Sequence, residues 1–148
     1  MPTIQDKLHC FLNSNPFIRS NTLLINLIDM HKTLIIGASP NPSRYSYKAA
    51  HMLKRFNHEI VNVGIKEGSV AGVEIEKPGH IHSDIDTITL YIGRPLQAQY
   101  REYILATKPK RVIFNPGTEN AELEELLIQH SIEPVEACTL VLLSTGQY

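Results

Sequence analysis

Thr33-Leu34-Ile35-Ile36-Gly37-Ala38-Ser39 is a short, nearly all-apolar run that stops at a glycine. Buried parallel strands read this way, because both of their faces are covered and the side chains need not alternate. Residues 44–56 follow with helical spacing. Ala49, Met52, Leu53 and Phe56 share one face, while Lys48, Lys54 and Arg55 lie off it. Glu59 to Val63 is a second strand.

The alternation continues downstream. Residues 87–92 (TITLYI) form a third strand rich in β-branched residues. Pro95 suits the first turn of a helix that aligns Leu96, Tyr100, Tyr103, Ile104 and Thr107. Arg111 to Asn115 is a fourth strand, and Thr118 is the expected N-cap of a helix presenting Leu123, Leu126 and Leu127. Pro134 to Ala137 gives a fifth. Strands separated by helices require right-handed crossovers, hence a parallel sheet covered on both faces. The expected fold is therefore α/β, a Rossmann-like open parallel sheet of about five strands, in the order 3-2-1-4-5 along these segments. The exception is 64–86, where Gly64, Gly68, Gly72, Pro78 and Gly79 forbid a proper helix. There, Val73 to Lys77 alternates apolar and charged, as a short edge strand or hairpin does.

Composition bounds the rest. The 148 residues suffice for one ordinary domain, and 43% hydrophobic with 20% charged residues is globular. A net charge of −1 gives no general attraction for nucleic acid or anionic membrane. Cys10 and Cys138 are too few and too far apart for a disulfide scaffold or a thiolate zinc site. Residues 1–30 lack a basic n-region and a cleavage site, so a signal peptide is not expected; 1–31 reads as an N-terminal extension, with 1–29 outside the sheet. The expected domain is 32–148 and the expected location cytoplasmic. A homo-oligomer is compatible with all of this.

Ligands of open α/β sheets bind beyond the carboxyl ends of the strands. The first such end runs from Gly37 to Arg44 (GASPNPSR). Gly37 permits a sharp turn, and the main-chain N–H groups after it are expected to do most of the holding of a phosphate. A purely structural turn reads the same way, since the second and third glycines of G-x-G-x-x-G are absent. At the end of the second strand no acid precedes Glu67, whereas NAD-binding domains place one there for the ribose hydroxyls. Lys66 instead suits a ribose phosphate, as on NADP or coenzyme A, or is a solvated surface residue. Residues 32–66 hold six Lys/Arg against one acid, while 112–148 hold six acids and no Lys/Arg. An anion is thereby favoured near the first half.

Catalytic signatures are absent. His80 and His82 have metal-ligand spacing but no third ligand at a recognisable distance, so no metal is expected. His51 and His130 read as structural. Ser39 has no base partner, no G-x-S-x-G elbow occurs, and Tyr100-Arg101-Glu102-Tyr103 does not supply a Tyr-x-x-x-Lys proton donor. Cys138 reads as a buried, inert thiol, with exchange against a ligand thiol as the alternative.

Leu34 to Pro42 (LIIGASPNP) followed by the Val63–Lys66 turn resembles the stand-alone CoA-binding proteins, which are similar to the CoA-binding domain of the succinyl-CoA synthetase alpha subunit. Leu90 to Pro95 (LYIGRP), Val112 to Gly117 (VIFNPG) with Glu119 and Asn120, and Val135 to Cys138 continue the likeness over about residues 32–140. The resemblance implies a coenzyme A ligand. Carried over by position, Gly37, Ala38, Ser39 and Arg44 hold phosphates, Lys66 meets the 3′-phosphate, and Ile92, Gly93, Arg94 and Pro95 line the adenine or pantetheine path. The implied function is a non-catalytic CoA or acyl-CoA binding module, a sensor, carrier or regulator. The alternative from another class is an NADP-linked oxidoreductase or other nucleotide-binding enzyme.

Overall fold

A computed structural model describes residues 31–148. The leader, apart from His31, lies outside the described residues, and with it the expectation that it stays out of the sheet.

Among the described residues seven strands form one sheet: β1 (Thr33–Ile36), β2 (Ile60–Val63), β3 (Ser69–Val70), β4 (Val73–Glu76), β5 (Thr87–Leu90), β6 (Arg111–Phe114) and β7 (Glu133–Glu136). Their order is β3-β4-β2-β1-β5-β6-β7. All pairings are parallel except β3 with β4. Thr33 pairs with Ile60 on one side and with Thr87 on the other, so β1 is central. The fold class is as the sequence implies, but the strand order needs correction. The 87–92 segment lies beside β1, not beyond β2. The place beyond β2 belongs to β4, a four-residue strand that the chain reaches through the two-residue β3 instead of a helix. Counting β4 as the third parallel strand restores the 3-2-1-4-5-6 order of doubly wound sheets.

Asn62 explains how so short a connection holds. Its buried amide donates to the carbonyls of Val70 and Val73, both at 3.1 Å, tying β2 to the β3–β4 hairpin. An Asn in mid-strand supplies side-chain hydrogen bonds where a helix would otherwise supply packing.

Among the described residues four helices cover the sheet: α1 (Tyr45–Arg55), α2 (Arg94–Thr107), α3 (Ala121–Gln129) and α4 (Thr139–Ser144). Strand side chains alternate between two cores. Leu34, Ile36, Ile88 and Phe114 face Tyr100 and Ile104 of α2 and Leu123 and Leu127 of α3. Ile35 and Ile60 face Ala50 and Leu53 of α1 and Leu143 of α4. The buried face of α1 is Ser46, Ala49, Ala50 and Leu53. Phe56, expected on that face, is the C-cap and is 46% exposed, because the helix ends before it can turn inward. Pro95 opens α2 as expected. The N-cap of α3 is Asn120, whose side chain accepts from Leu123 N–H, rather than Thr118. The Thr118 hydroxyl instead donates to the Asn115 carbonyl at 2.7 Å.

Candidate functional site

The chain leaves β1 for β2 on one side, while β5 pairs with β1 on the other. A crevice opens at such a reversal, beyond the carboxyl ends of the strands. Here it is a cleft of about 910 Å³. Its walls are the Gly37–Ser46 region, the β2 exit at Gly64–Lys66, the β5 exit at Tyr91–Gly93, the face of α2 bearing Leu96, Gln99 and Tyr100, and the β6 exit at Pro116–Thr118.

Of the residues singled out in the sequence, Gly37, Ala38, Ser39, Arg44, Lys66, Ile92 and Gly93 line this cleft. Arg94 and Pro95 do not. They begin α2 with exposed side chains, and the wall resumes at Leu96.

The main-chain donors of the first turn are a correction. Gly37 and Ala38 N–H both donate to the Val63 carbonyl, at 2.9 and 3.0 Å. Asn41 N–H donates to Ser39 Oγ, Ser43 N–H to Asn41 Oδ1, and Arg44 N–H to the Asn41 carbonyl. Pro40 and Pro42 have no N–H. Every N–H of the turn except that of Ser39 is therefore spent on shaping the turn itself or on β2. Helix α1 is different. It has no side-chain cap and no acid in its first turn. The N–H groups of Tyr45, Ser46 and Tyr47 are those a helix cannot satisfy internally, and the positive end of its dipole opens beside the cleft.

Two glycines set the shape. Gly37 has φ +92°, and a Cβ there would lie 2.8 Å from the Tyr91 carbonyl oxygen and 2.9 Å from Ile92 Cγ2. A Cβ on Gly64 would meet the Ala38 carbonyl oxygen at 2.5 Å. Close approach is thus between the three loops, bringing β1, β2 and β5 exits together under the cleft.

A buried polar network fixes the far wall. Asn115 donates to Thr89 Oγ1 at 2.7 Å and to the Leu90 carbonyl at 2.9 Å, and its Oδ1 accepts Thr139 N–H at 2.9 Å. Gln97 donates to the Ile92 and Thr118 carbonyls and accepts from Asn120. One asparagine and one glutamine, both buried, lock the β5 exit to the β6–α3 loop.

The charges are one-sided. Arg44 and Lys66 line the cleft, and neither forms an ion pair among the described residues. Among the described residues no Asp, Glu, His or Cys belongs to the lining. Burial raises the Tyr91 and Tyr100 hydroxyls above the ordinary tyrosine range, so both stay protonated near neutral pH. The cleft can attract an anion and hydrogen-bond to it.

Other candidates lie elsewhere. His82 Nε2 contacts Glu76 Oε1, with the His80 ring edge-on to that of His82 at 4.6 Å. Among the described residues no three His, Cys, Asp or Glu side chains gather as a metal ion requires. Cys138 is half-buried, a free thiol at the N-cap of α4, outside the cleft lining. His51 and His130 are exposed and make local contacts: the His51 ring lies 4.5 Å from that of Tyr47 on α1, and His130, the C-cap of α3, contacts the Leu126 carbonyl through Nδ1 at 2.9 Å.

Sequence reading passed over Tyr91, Gln99, Tyr100 and the Pro116–Thr118 turn as parts of the wall. The available signal was positional. Tyr91 and Pro116 closely follow the carboxyl ends of central strands, where any residue is a candidate regardless of chemistry.

Residues 31–144 match the family model described as CoA binding domain. A solved structure described as an uncharacterised protein is 53% identical, with a TM-score of 0.79 over 80% of this chain and 98% of that one. A Thermus thermophilus structure is 18% identical, with a TM-score of 0.72 over 86% of this chain and 98% of its own. A hypothetical protein from Pyrococcus horikoshii OT3 is 22% identical, with a TM-score of 0.70 over 82% of this chain and 87% of its own. These last two share the fold. No curated protein matches.

Proposed function

The chain belongs to the CoA-binding domain family, and from that premise we propose that it binds coenzyme A or an acyl-CoA in this cleft without doing chemistry on it. The observation that carries the reading is the lining itself. Among the described residues it has two cations without an ion pair, a helix N-terminus without a side-chain cap, and no acidic or imidazole side chain. The residues present therefore fit a ligand with several phosphate charges.

In this reading the first turn of α1 and the Arg44 guanidinium take the diphosphate, where helix dipole and charge act together. Lys66, exposed at the β2 exit, meets the 3′-phosphate. Ala38, Ser39, Ile92 and Gly93 shape the path of the arm, and Gly37 holds their loops together. When bound, coenzyme A supplies a thiol that carries acyl groups as thioesters. Ser39 Oγ accepts Asn41 N–H, and among the described residues no carboxylate or imidazole lines the cleft to act as its base. These features favour a carrier, sensor or regulator over a catalyst. The ligand-binding unit is 32–148, acting in the cytoplasm. Among the described residues no helix is long and apolar enough to cross a membrane.

Thermal unfolding of the full chain with coenzyme A, acetyl-CoA, NADP and NAD tests this. A ligand that binds only the native state at 100 times its Kd stabilises by about 2.7 kcal/mol, a rise of several degrees in Tm. Coenzyme A and acetyl-CoA are expected to give that rise. Stabilisation by NADP alone would replace this reading with the oxidoreductase one.

A further inference from the structure

The cleft lining divides by chemistry. Arg44 and Lys66 stand on the β1 and β2 side. The β5 exit, α2 and the β6 exit contribute Tyr91, Ile92, Leu96, Tyr100 and Pro116, and among the described residues no charged side chain lines that side. A phosphate gains nothing there. An uncharged chain fits it, because neutral ligands sit in largely apolar walls with a few placed polar groups.

Most polar side chains of that wall are committed within the fold. Gln97 donates to the Ile92 and Thr118 carbonyls, the Thr118 hydroxyl donates to the Asn115 carbonyl, and Asn115 donates to Thr89 and Leu90. Tyr100 is an exception. It is 6% exposed, and its ring packs in the core with Ile36, Leu90, Ile92 and Ile104. Side chains on a helix lean toward its N-terminus, and α2 begins at Arg94, just past the Leu90 end of β5. That lean carries the Tyr100 hydroxyl toward the cleft, which Tyr100 lines.

There the hydroxyl makes no hydrogen bond among the described residues, and burial alone raises its pKa. Tyr103, further along α2, instead donates to the His80 carbonyl at 3.1 Å. The Tyr91 hydroxyl also lacks a partner, but it is sealed from solvent. That of Tyr100 is not among the sealed atoms, so a ligand can reach it. A phenylalanine ring would fill the core as well, and a hydroxyl left without a partner in a buried wall opposes folding.

Resting on the coenzyme A reading, we propose that Tyr100 is a specificity-determining residue of the cleft: its hydroxyl donates to an amide carbonyl of the pantetheine arm, so that the site recognises the arm as well as the phosphates. The arm is uncharged, as this wall requires, and its amide carbonyls are acceptors for a protonated phenol. A nucleotide with the same phosphates and no arm leaves the hydroxyl bare.

The test is calorimetry on the full chain, wild type and Tyr100→Phe, with three ligands: coenzyme A, acetyl-CoA, and adenosine 3′-phosphate 5′-diphosphate, which keeps the phosphates and lacks the arm. The variant is expected to bind coenzyme A and acetyl-CoA roughly five-fold or more weakly, the size of one lost hydrogen bond. It should bind the armless nucleotide as wild type does. Its Tm without ligand should equal or exceed that of wild type, since the ring still fills the core. Unchanged coenzyme A affinity in the variant overturns this inference and leaves the coenzyme A reading intact. Equal losses for coenzyme A and the armless nucleotide, or a Tm lowered by several degrees, place the hydroxyl in the chain's own structure and also overturn it. A loss confined to acetyl-CoA puts the contact on the thioester carbonyl and overturns the assignment to the arm. Failure of wild type to bind coenzyme A overturns the coenzyme A reading itself.

Discussion

The two ends of the parallel strands treat charge in opposite ways. At the amino ends, Lys32 contacts Asp84 at 2.8 Å, and Asp86 joins His31 at 3.1 Å and Lys110 at 3.2 Å. Arg111 donates to Thr87 Oγ1 and stacks 4.7 Å over the Tyr148 ring, whose hydroxyl contacts Thr33. At the carboxyl ends, Arg44 and Lys66 stand beside the cleft with no such partner among the described residues. Charges neutralised within the chain hold the fold together. Charges left without a partner next to a concave surface are available to something else.

Gly37→Val is the largest expected perturbation, and it breaks the division between the two ends. The side chain forces a β-branched residue into φ +92° and meets the Tyr91 carbonyl. A loss of about 3 kcal/mol or more in folding stability is expected by urea unfolding, with binding lost alongside. Its effect on affinity therefore says nothing about main-chain contact with a ligand.

Arg44→Ala sharpens the comparison. Removing a charge-assisted contact to phosphate costs about 1.5–3 kcal/mol, so coenzyme A affinity should fall roughly ten-fold or more. The melting temperature of the free protein should stay within about a degree, as for surface changes away from buried features, because Arg44 is exposed and makes no ion pair among the described residues. An equal loss of stability would place Arg44 among the structural charges.

Asp86→Asn is the converse. Burial opposes the Asp86 charge, but the Thr87 hydroxyl, Lys110 and His31 outweigh it and hold the carboxyl below its usual range. A group depressed in the folded state stabilises above its unfolded pKa, and that stability is lost as pH falls through the folded value. The variant should be about 1–2 kcal/mol less stable than wild type at pH 7. That gap should narrow as the pH is lowered through the carboxylate range, and coenzyme A should bind both proteins alike.

The smallest effect is on pH dependence. Burial, then the neighbouring His31 charge, lowers the His58 pKa, and its Nδ1 is buried without a partner among the described residues. Neutral His58 contributes fully above an unfolded pKa near about 6.5, and the contribution declines as pH falls from there through the folded value. Urea unfolding of wild type and His58→Gln between about pH 8 and pH 5 should show a shallower decline in the variant.

The βαβα alternation was legible because Leu34 to Ile36 and Ile88 to Leu90 are nearly continuous apolar runs, which only doubly covered strands carry. Strand order was not, because β4 replaces a helical crossover by hydrogen bonds from Asn62, and one polar residue in a strand gives no periodic signal. Helix α4 escaped for a related reason: Thr139 to Leu143 is a β-branched and leucine run too short to show a helical period. In the site, Gly37, Arg44 and Lys66 were visible as residue types at strand ends. That most of the turn's N–H groups, Ser39's excepted, are taken by Val63 and by the turn's own oxygens was not, since a hydrogen-bond partner is a property of the folded pair rather than of either segment.

In the proposed function Arg44 and Lys66, without an ion pair among the described residues, receive the phosphates of coenzyme A. Calorimetry of wild type and Lys66→Ala, each with coenzyme A and with dephospho-CoA, tests it most directly. The expected result is a loss of roughly ten-fold or more for coenzyme A in the variant and hardly any for dephospho-CoA. Equal losses for both ligands, or equal affinity of wild type for the two, would contradict it.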